Sequence, residues 1–173
     1  MSGCMSAFSG GPDIELSKGL KQLKEEHPPL LAQLEELFQL TQRIEQEKDI
    51  DPNFELLNAK VQQFKADLDP HSEREEGVLF PMLGVYIGTT SGPIAVMEYE
   101  HDQAKANIKA FLEGATNGET SEEKKELGQL VKNAYFILTE HFAKEENVLF
   151  PMAQRMLTDE EKEELYQKIQ EIK

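Results

Sequence analysis

Cysteine, tryptophan and basic residues are scarce in this chain of 173 residues. It contains one cysteine, Cys4, and no tryptophan, and its 18 Lys and Arg are outnumbered by 33 Asp and Glu, which gives a formal net charge of −15. A single cysteine excludes an intramolecular disulfide. The shortage of positive charge argues against binding to nucleic acid or to an anionic membrane surface, because both select patches of Lys and Arg.

Long apolar runs and strict apolar–polar alternation are also missing. Without an apolar run of about 20 residues we expect no transmembrane helix, and without an apolar segment near the N-terminus we expect no signal peptide. We therefore predict a cytoplasmic protein. Aliphatic residues recur at helical spacing throughout, which predicts an all-α fold. Residues 1–16, rich in Gly and Ser, are predicted to form a flexible N-terminal arm, and 17–173 a single domain.

Four long apolar stripes and one short one predict five helices. Because short loops separate the long helices, they are expected to form an up-down-up-down four-helix bundle with a short extra C-terminal helix. The N-termini of the last two helices are predicted from capping boxes, Thr120 with Glu123 and Thr158 with Glu161. The predicted spans are about 17–47, 54–82, 93–113 and 120–152, followed by a helix from 158.

Prolines affect the first two predicted helices. The first helix either begins at Pro28 and Pro29 or is kinked there. Pro70 is expected to interrupt the second helix, and Pro81 to help end it. Residues 48–53 are expected to form a turn before that helix.

A twelve-residue segment occurs twice, 70 residues apart. HSEREEGVLFPM at 71–82 recurs as HFAKEENVLFPM at 141–152, with eight identical positions. Each copy carries a histidine and, four residues later, a glutamate, a spacing that places both on one helical face. The repeat predicts two helical hairpins related by a pseudo-twofold axis. His27 and His101, 74 residues apart, then occupy equivalent places in the first helix of each hairpin.

All four histidines of the chain lie on inward stripes, one per long helix. One alone would be typical of a core histidine with a satisfied hydrogen bond. Four of them, together with two inward glutamates, favour a metal site, because burying such groups unpaired costs on the order of several kcal/mol each. Imidazole and carboxylate without thiolate suit iron, manganese or zinc, and two carboxylates that can bridge favour two ions over one. The candidate ligands are His27, His71, Glu75, His101, His141 and Glu145.

This pattern resembles the hemerythrin-like family, also called HHE cation-binding domains. The resemblance rests on the four histidines, the two His-x3-Glu pairs and the Glu-Glu-x-Val-Leu-Phe-Pro continuation, and it covers about residues 20–155. It implies two iron ions with an oxo or hydroxo bridge. The four histidines would be terminal ligands, and Glu75 and Glu145 would bridge the irons.

Lys105 is a departure from the members that carry oxygen. Those members have a fifth histidine one turn after the ligand of the third helix, where this chain has Lys105. The remaining set of four histidines and two glutamates looks like the branch that acts in iron-centre repair and nitrosative stress. That branch usually adds an N-terminal domain with a cysteine pair, whereas this chain has a short arm with Cys4.

Four further glutamates stand next to the candidate ligands. Glu76 and Glu146 follow the two bridging candidates and are interpreted as supporting or solvated groups rather than ligands. Glu26 and Glu100 precede two of the histidines and are expected to face solvent, with orientation of those histidines as the alternative.

The leading functional hypothesis is a non-haem di-iron protein that binds or reacts with O2, NO or peroxide. Its context would be oxidative or nitrosative stress or the repair of iron centres. The alternatives are a non-enzymatic iron buffer or donor, an oxygen- or redox-sensing module, and a purely structural bundle. The sequence leaves the oligomeric state open.

Overall fold

Eight helices follow one another in the computed structural model, which describes residues 14–173. No strand occurs in this part of the chain, so the all-α prediction is confirmed. The predicted arm, 1–16, falls largely outside the described residues. The helices are α1 (Lys18–Glu25), α2 (His27–Glu45), α3 (Ile50–Arg74), α4 (Phe80–Ile87), α5 (Pro93–Ala115), α6 (Ser121–Lys144), α7 (Phe150–Met156) and α8 (Asp159–Gln170).

The bundle consists of α2, α3, α5 and α6. Each of these helices packs against two neighbours, in the circular order α2, α3, α5, α6, and the hairpins α2–α3 and α5–α6 correspond to the two halves predicted from the repeat. One apolar cluster fills the bundle between these helices. A second cluster joins α1, α4, α7 and α8 at the other end, where α1 packs against α8. None of the helices in residues 14–173 is long and apolar enough to cross a membrane.

Proline positions decide where α2 begins. His27 opens α2 and is followed by Pro28 and Pro29 in the first turn, where a missing backbone N–H leaves no hydrogen bond unmade. The first helix of the sequence prediction is therefore two helices, α1 and α2, which meet at Glu26. This arrangement places His27 at a helix N-terminus.

Two expectations for the second helix are wrong. The turn expected at 48–53 is shorter, because α3 already begins at Ile50 after Asp49 adopts a left-handed conformation (φ 44°). Pro70 does not interrupt α3, which continues to Arg74. The buried side chains on either side, Leu68 and His71, keep the helix against the core. This packing outweighs a proline cost of about 3 kcal/mol.

The repeated segment contains a feature that the sequence did not suggest, a π turn in each copy. The turns span Glu75–Leu79 and Glu145–Leu149, and each is followed by a proline in the first turn of the next helix. Because a π turn adds a residue, it rotates everything after it relative to an α-helix. Leu79 and Leu149 are both buried, whereas the valine before them is buried in the first copy (Val78) and 51% exposed in the second (Val148), although helical spacing places both inward. Pro81 does not end the helix, which continues as α4 to Ile87.

The N-terminus of α8 carries a capping box. Thr158 accepts a hydrogen bond from the backbone N–H of Glu161, and Glu161 accepts one from the N–H of Thr158. We expect Thr158→Ala to lower the free energy of unfolding by about 1 kcal/mol, because α8 loses its N-cap. Urea denaturation of the metal-free protein measures this change. Thr116→Ala, which removes only an exposed hydroxyl bond to the Glu113 carbonyl, is the control and should change stability much less.

Candidate metal centre

Each bundle helix contributes one histidine to a single buried layer. His27 lies at the start of α2, His71 near the end of α3, His101 within α5 and His141 near the end of α6. All four are at most 2% exposed. The layer lies between the first apolar cluster and the second. The structure thus brings together the four histidines singled out in the sequence.

The two candidate bridging glutamates lie in the same layer. Glu75 and Glu145 are the first residues of the two π turns, and both are fully buried. Oε1 of Glu75 is 3.0 Å from Nε2 of His71 and 3.5 Å from Nε2 of His101. Oε1 of Glu145 is 3.3 Å from Nε2 of both His27 and His141.

Neither carboxylate makes a hydrogen bond, although imidazoles lie so close. All four oxygens of Glu75 and Glu145 are buried without a hydrogen-bond partner, because the nearby N–H directions are poorly aligned. Buried carboxylates in folded proteins are normally paired or bound to metal, since an unpaired one is very costly. The donor set of six therefore fits a metal centre.

The outward-facing nitrogen of each histidine meets a second glutamate from a neighbouring helix. These glutamates, here called the outer glutamates, are Glu26, Glu76, Glu100 and Glu146, and they stand next to the candidate ligands in sequence. Each helix supplies one to the next, which closes a ring around the bundle. The distances from Nδ1 to the carboxylate are 2.7 Å for His71–Glu26, 2.7 Å for His101–Glu76, 3.3 Å for His141–Glu100 and 3.6 Å for His27–Glu146.

The outer glutamates determine which nitrogen of an imidazole faces the centre. A carboxylate only accepts, so a histidine bonded to it donates from Nδ1 and turns Nε2 towards the centre. Such a carboxylate fixes the ring and makes Nε2 a better ligand, which is the usual support of a metal-binding histidine. The expectation that Glu26 and Glu100 face solvent is wrong. Each orients a histidine, but it is the histidine of the next helix, His71 or His141, rather than its own neighbour in sequence.

The comparison with known families agrees with this geometry. Residues 18–153 match the family model described as the hemerythrin HHE cation binding domain. The chain belongs to this family. The predicted hemerythrin-like fold is thereby confirmed, and family membership together with the buried His/Glu cluster supports iron binding.

Several proteins similar to this hemerythrin domain are described as iron-sulfur cluster repair protein YtfE. The protein from Dickeya chrysanthemi is 33% identical over 131 residues, which cover 72% of this chain and 59% of that protein. The protein from Musicola paradisiaca is 30% identical over 141 residues, covering 79% of this chain and 63% of its relative. The protein from Pectobacterium atrosepticum is 37% identical over 95 residues, 51% of this chain and 42% of the relative. The chain thus spans less than two thirds of the length of these relatives.

Three of the outer glutamates in the hemerythrin domain also form an ion pair with an arginine or lysine side chain. In each case the cation follows the histidine by one turn of the same helix, so one carboxylate bridges an imidazole and a positive charge. The pairs are Arg74–Glu26 at 2.8 Å, Lys105–Glu76 at 3.0 Å and Lys144–Glu100 at 2.8 Å. Lys105, which stands where oxygen carriers have a fifth histidine, is thus a support for His101 through Glu76.

Arg74 connects the centre to the C-terminal helix. Besides binding Glu26, its guanidinium donates to the backbone carbonyls of Ile169 and Ile172, at and just after the end of α8. The short extra helix predicted from the sequence therefore helps to hold the carboxylate that orients His71.

Burial and charge divide the four imidazoles into two kinds in the metal-free hemerythrin domain. Burial alone would lower every histidine pKa, and it lowers the pKa of His27 and of His141 to about 4. For His71 and His101, the nearby carboxylates of Glu75 and of the outer glutamates outweigh burial and raise the pKa to about 9. Burial likewise raises the pKa of Glu75, but these two imidazoles pull it well below its usual range.

The short contact between His101 and His141 follows from this difference. Their Nε2 atoms are 2.7 Å apart, which requires one proton between them. The protonated His101 donates, and the neutral His141 accepts. Both of these nitrogens face the centre of the layer.

The candidate ligand atoms fall into two overlapping groups. Atoms of Glu75, His101, His141 and Glu145 lie within 4.8 Å of one another, and so do atoms of His27, His71 and Glu145. Glu145 belongs to both groups. Two ions that share a carboxylate are the arrangement these groups would support, with one histidine pair for each ion.

Sequence reasoning found the inner six residues but gave too little weight to the outer ones. Every segment that carries a candidate ligand has a Glu beside it, as Glu-His at 26–27 and 100–101 and as Glu-Glu at 75–76 and 145–146. This fourfold recurrence was the available signal. The cations were also visible, because Arg74, Lys105 and Lys144 follow a histidine by three or four residues.

Proposed function

We propose that the chain is a non-haem di-iron protein that binds or reacts with a small ligand, O2, NO or peroxide. Its ligands would be His27, His71, His101 and His141, with Glu75 and Glu145 as carboxylates shared between the irons. The proposal is supported by two sets of carboxylates that contact the four histidines, one set on the inside and one on the outside. The outer carboxylates aim His71 and His101 inward, and the buried oxygens of the two inner carboxylates make no hydrogen bond.

The protein would hold the two irons in different surroundings. His101 and His141 would bind one ion and His27 and His71 the other, with Glu145 common to both groups. Metal binding would displace the Nε2 protons of the imidazoles, because only the free lone pair is a ligand. The Nδ1 protons of His71, His101 and His141 would stay on the outer glutamates and keep these three rings in place.

Aromatic side chains would restrict water around the centre. Phe142 stacks on His27 with ring centroids 4.2 Å apart, and Phe150 lies at 5.7 Å from the same ring. Phe80 lies 5.6 Å from the ring of His101. All three phenylalanines are at most 1% exposed. A dry wall of this kind admits a small neutral molecule such as O2 or NO more easily than an ion.

Lys105 favours reaction over reversible carriage. With Lys105 bound to Glu76 rather than to the centre, the chain offers six ligands to two ions, which leaves coordination positions for a small molecule. When bound, iron at such positions supplies redox and Lewis-acid chemistry. The similarity to YtfE proteins extends the proposal to a stress response that includes iron-sulfur cluster repair.

The first test is elemental analysis of the freshly purified protein together with its visible spectrum, before and after azide. We expect about two irons per chain and an absorption band that azide changes, because azide enters open positions of such a centre. Less than one iron per chain after anaerobic iron loading would refute the proposal. Manganese or zinc at full occupancy, with iron excluded, would refute the choice of metal.

The second test separates reaction from carriage. The reduced protein is exposed to O2, NO or peroxide in separate experiments and followed by its absorption over repeated cycles. We expect irreversible conversion within a few turnovers for at least one of these molecules. Clean binding and release of O2 over many cycles would contradict a reactive role.

A further inference from the structure

The four histidines are supported unequally, and His27 is the exception. His71, His101 and His141 each form a hydrogen bond from Nδ1 to an outer glutamate. The nitrogens of His27 have no hydrogen-bond partner, and its Nδ1 is 3.6 Å from Glu146, beyond a normal hydrogen bond. Its stacking on Phe142 fixes the plane of the ring but leaves both nitrogens unpaired.

Within residues 14–173, Glu146 also lacks the Lys or Arg that forms an ion pair with each of the other outer glutamates. The positions one turn after His27 are Leu30 and Leu31, where the other three histidines have Arg or Lys. Within residues 14–173 no cation other than the His27 imidazole comes within ion-pair distance of Glu146, and residues 1–13 contain neither Lys nor Arg. The pseudo-twofold axis relates Leu31 to Lys105 and Glu146 to Glu76. The lysine is therefore present at one of two equivalent positions and replaced by leucine at the other.

A surface cavity adjoins this corner. It measures about 380 Å³ and is bordered by Glu146, Pro28, Lys21 and Lys24, and neither lysine forms an ion pair with Glu146. Smaller cavities of about 320 Å³ and 170 Å³ border Glu100 and Glu26. Those two carboxylates are held between an imidazole and a cation, whereas Glu146 borders its cavity with the His27 imidazole alone within ion-pair distance among residues 14–173.

A histidine held less firmly is a weaker ligand. The carboxylate behind a ligating imidazole increases its basicity and keeps it in place, and losing that support typically costs about 10- to 100-fold in metal affinity. His27 and His71 form one pair, of which only His71 is supported, whereas both histidines of the other pair, His101 and His141, are supported. The two metal positions should therefore differ in how readily they release an ion.

We propose that the iron bound by the histidine pair His27 and His71 is the exchangeable one, and that it leaves and enters at the corner formed by His27 and Glu146. The iron at His101 and His141 is retained. Glu146 acts as the positioning residue that sets the rate of exchange through His27. This inference rests on the proposed function, and it describes a centre that can give up one iron and keep the other.

Iron release to an excess of desferrioxamine tests the inference. The loss of visible absorption is followed over time, and the iron left on the protein is measured after rapid desalting. We expect two phases of one iron each, separated by at least about 10-fold in rate. Circular dichroism follows the fold during release, so that iron lost through unfolding is recognised.

Matched variants identify the phase that belongs to the His27 corner. Leu31→Lys supplies the missing cation and should slow the fast phase by about 10-fold while leaving the slow phase unchanged. The reverse change, Lys105→Leu, should speed up the slow phase until the two merge. Glu146→Gln should change the fast phase only. Leu31→Met, which alters the side chain without adding charge, is the control and should release iron as the wild type does.

The outcomes separate this inference from the proposed function. Less than one iron per chain in the wild type would overturn the proposed function itself. Two irons that leave together, or a fast phase that Leu31→Lys does not slow, would overturn the inference alone. An equal effect of Glu146→Gln on both phases would also overturn it, because Glu146 adjoins only His27.

Discussion

Replacement of Glu145 by alanine is expected to remove both metal ions from the protein. Glu145 is the one residue that belongs to both groups of candidate ligand atoms, and its Oε1 is 3.3 Å from an imidazole of each group. Without it, each ion would lose an anionic ligand in a buried site, where carboxylate charge is needed to offset the charge of the metal. Iron per chain, measured after anaerobic loading and gel filtration, gives the result directly.

Two further variants make this prediction specific. His71→Ala should lose one iron, because His71 belongs to one group of ligand atoms only. Glu76→Ala should keep both irons at saturating metal, with affinity lower by about 10- to 100-fold, because Glu76 supports His101 without facing the centre. Equal loss of iron from Glu145→Ala, His71→Ala and Glu76→Ala would contradict the assignment of inner and outer residues.

The inner residues could be predicted because they follow from helical geometry within one chain segment. A histidine and a glutamate four residues apart share a helix face, and the second copy of the segment repeats the pair. His27 and His101 were added by their spacing relative to these copies. The structure places all six side chains in one buried layer, although their action as ligands stays a prediction.

The ring of outer glutamates could not be predicted in the same way. Each of its contacts joins two helices, for example Glu26 of the α1–α2 junction with His71 of α3. Side chains that meet between helices depend on the rotation of each helix in the bundle, which the sequence of one helix does not determine. Glu100, read from its own helix alone, looked solvent-exposed for this reason.

The π turns were missed because periodicity assumes a regular α-helix. An amphipathic pattern with period 3.6 runs through both segments and gives no sign of the extra residue that each π turn inserts. The Phe-Pro pair after each turn was the available hint. Proline cannot continue an α-helix interior without strain, and the π turn places Pro81 and Pro151 at the start of a new helix.

Removal of the metal should lower the melting temperature by about 10 °C. Iron that binds only the folded protein, at a concentration of about 1,000 times its dissociation constant, stabilises the fold by about 4 kcal/mol. For a chain of this size, each kcal/mol corresponds to about 2–4 °C. Calorimetry of the iron-loaded and metal-free protein at the same pH measures the difference, and a shift below about 2 °C would contradict a buried metal centre.

Two leucine variants test whether the buried charges are kept for metal rather than for stability. We expect Glu145→Leu to melt no lower than the metal-free wild type and to be unaffected by iron. The imidazoles nearest to Glu145, His27 and His141, have a pKa of about 4 and are neutral, so removing the carboxylate leaves no positive charge unpaired. Glu75→Leu should be clearly less stable, because Glu75 is the carboxylate that holds the pKa of both His71 and His101 near 9. If Glu145→Leu destabilised the metal-free protein as much as Glu75→Leu, the two carboxylates would have equal structural roles, and their burial would not require a metal.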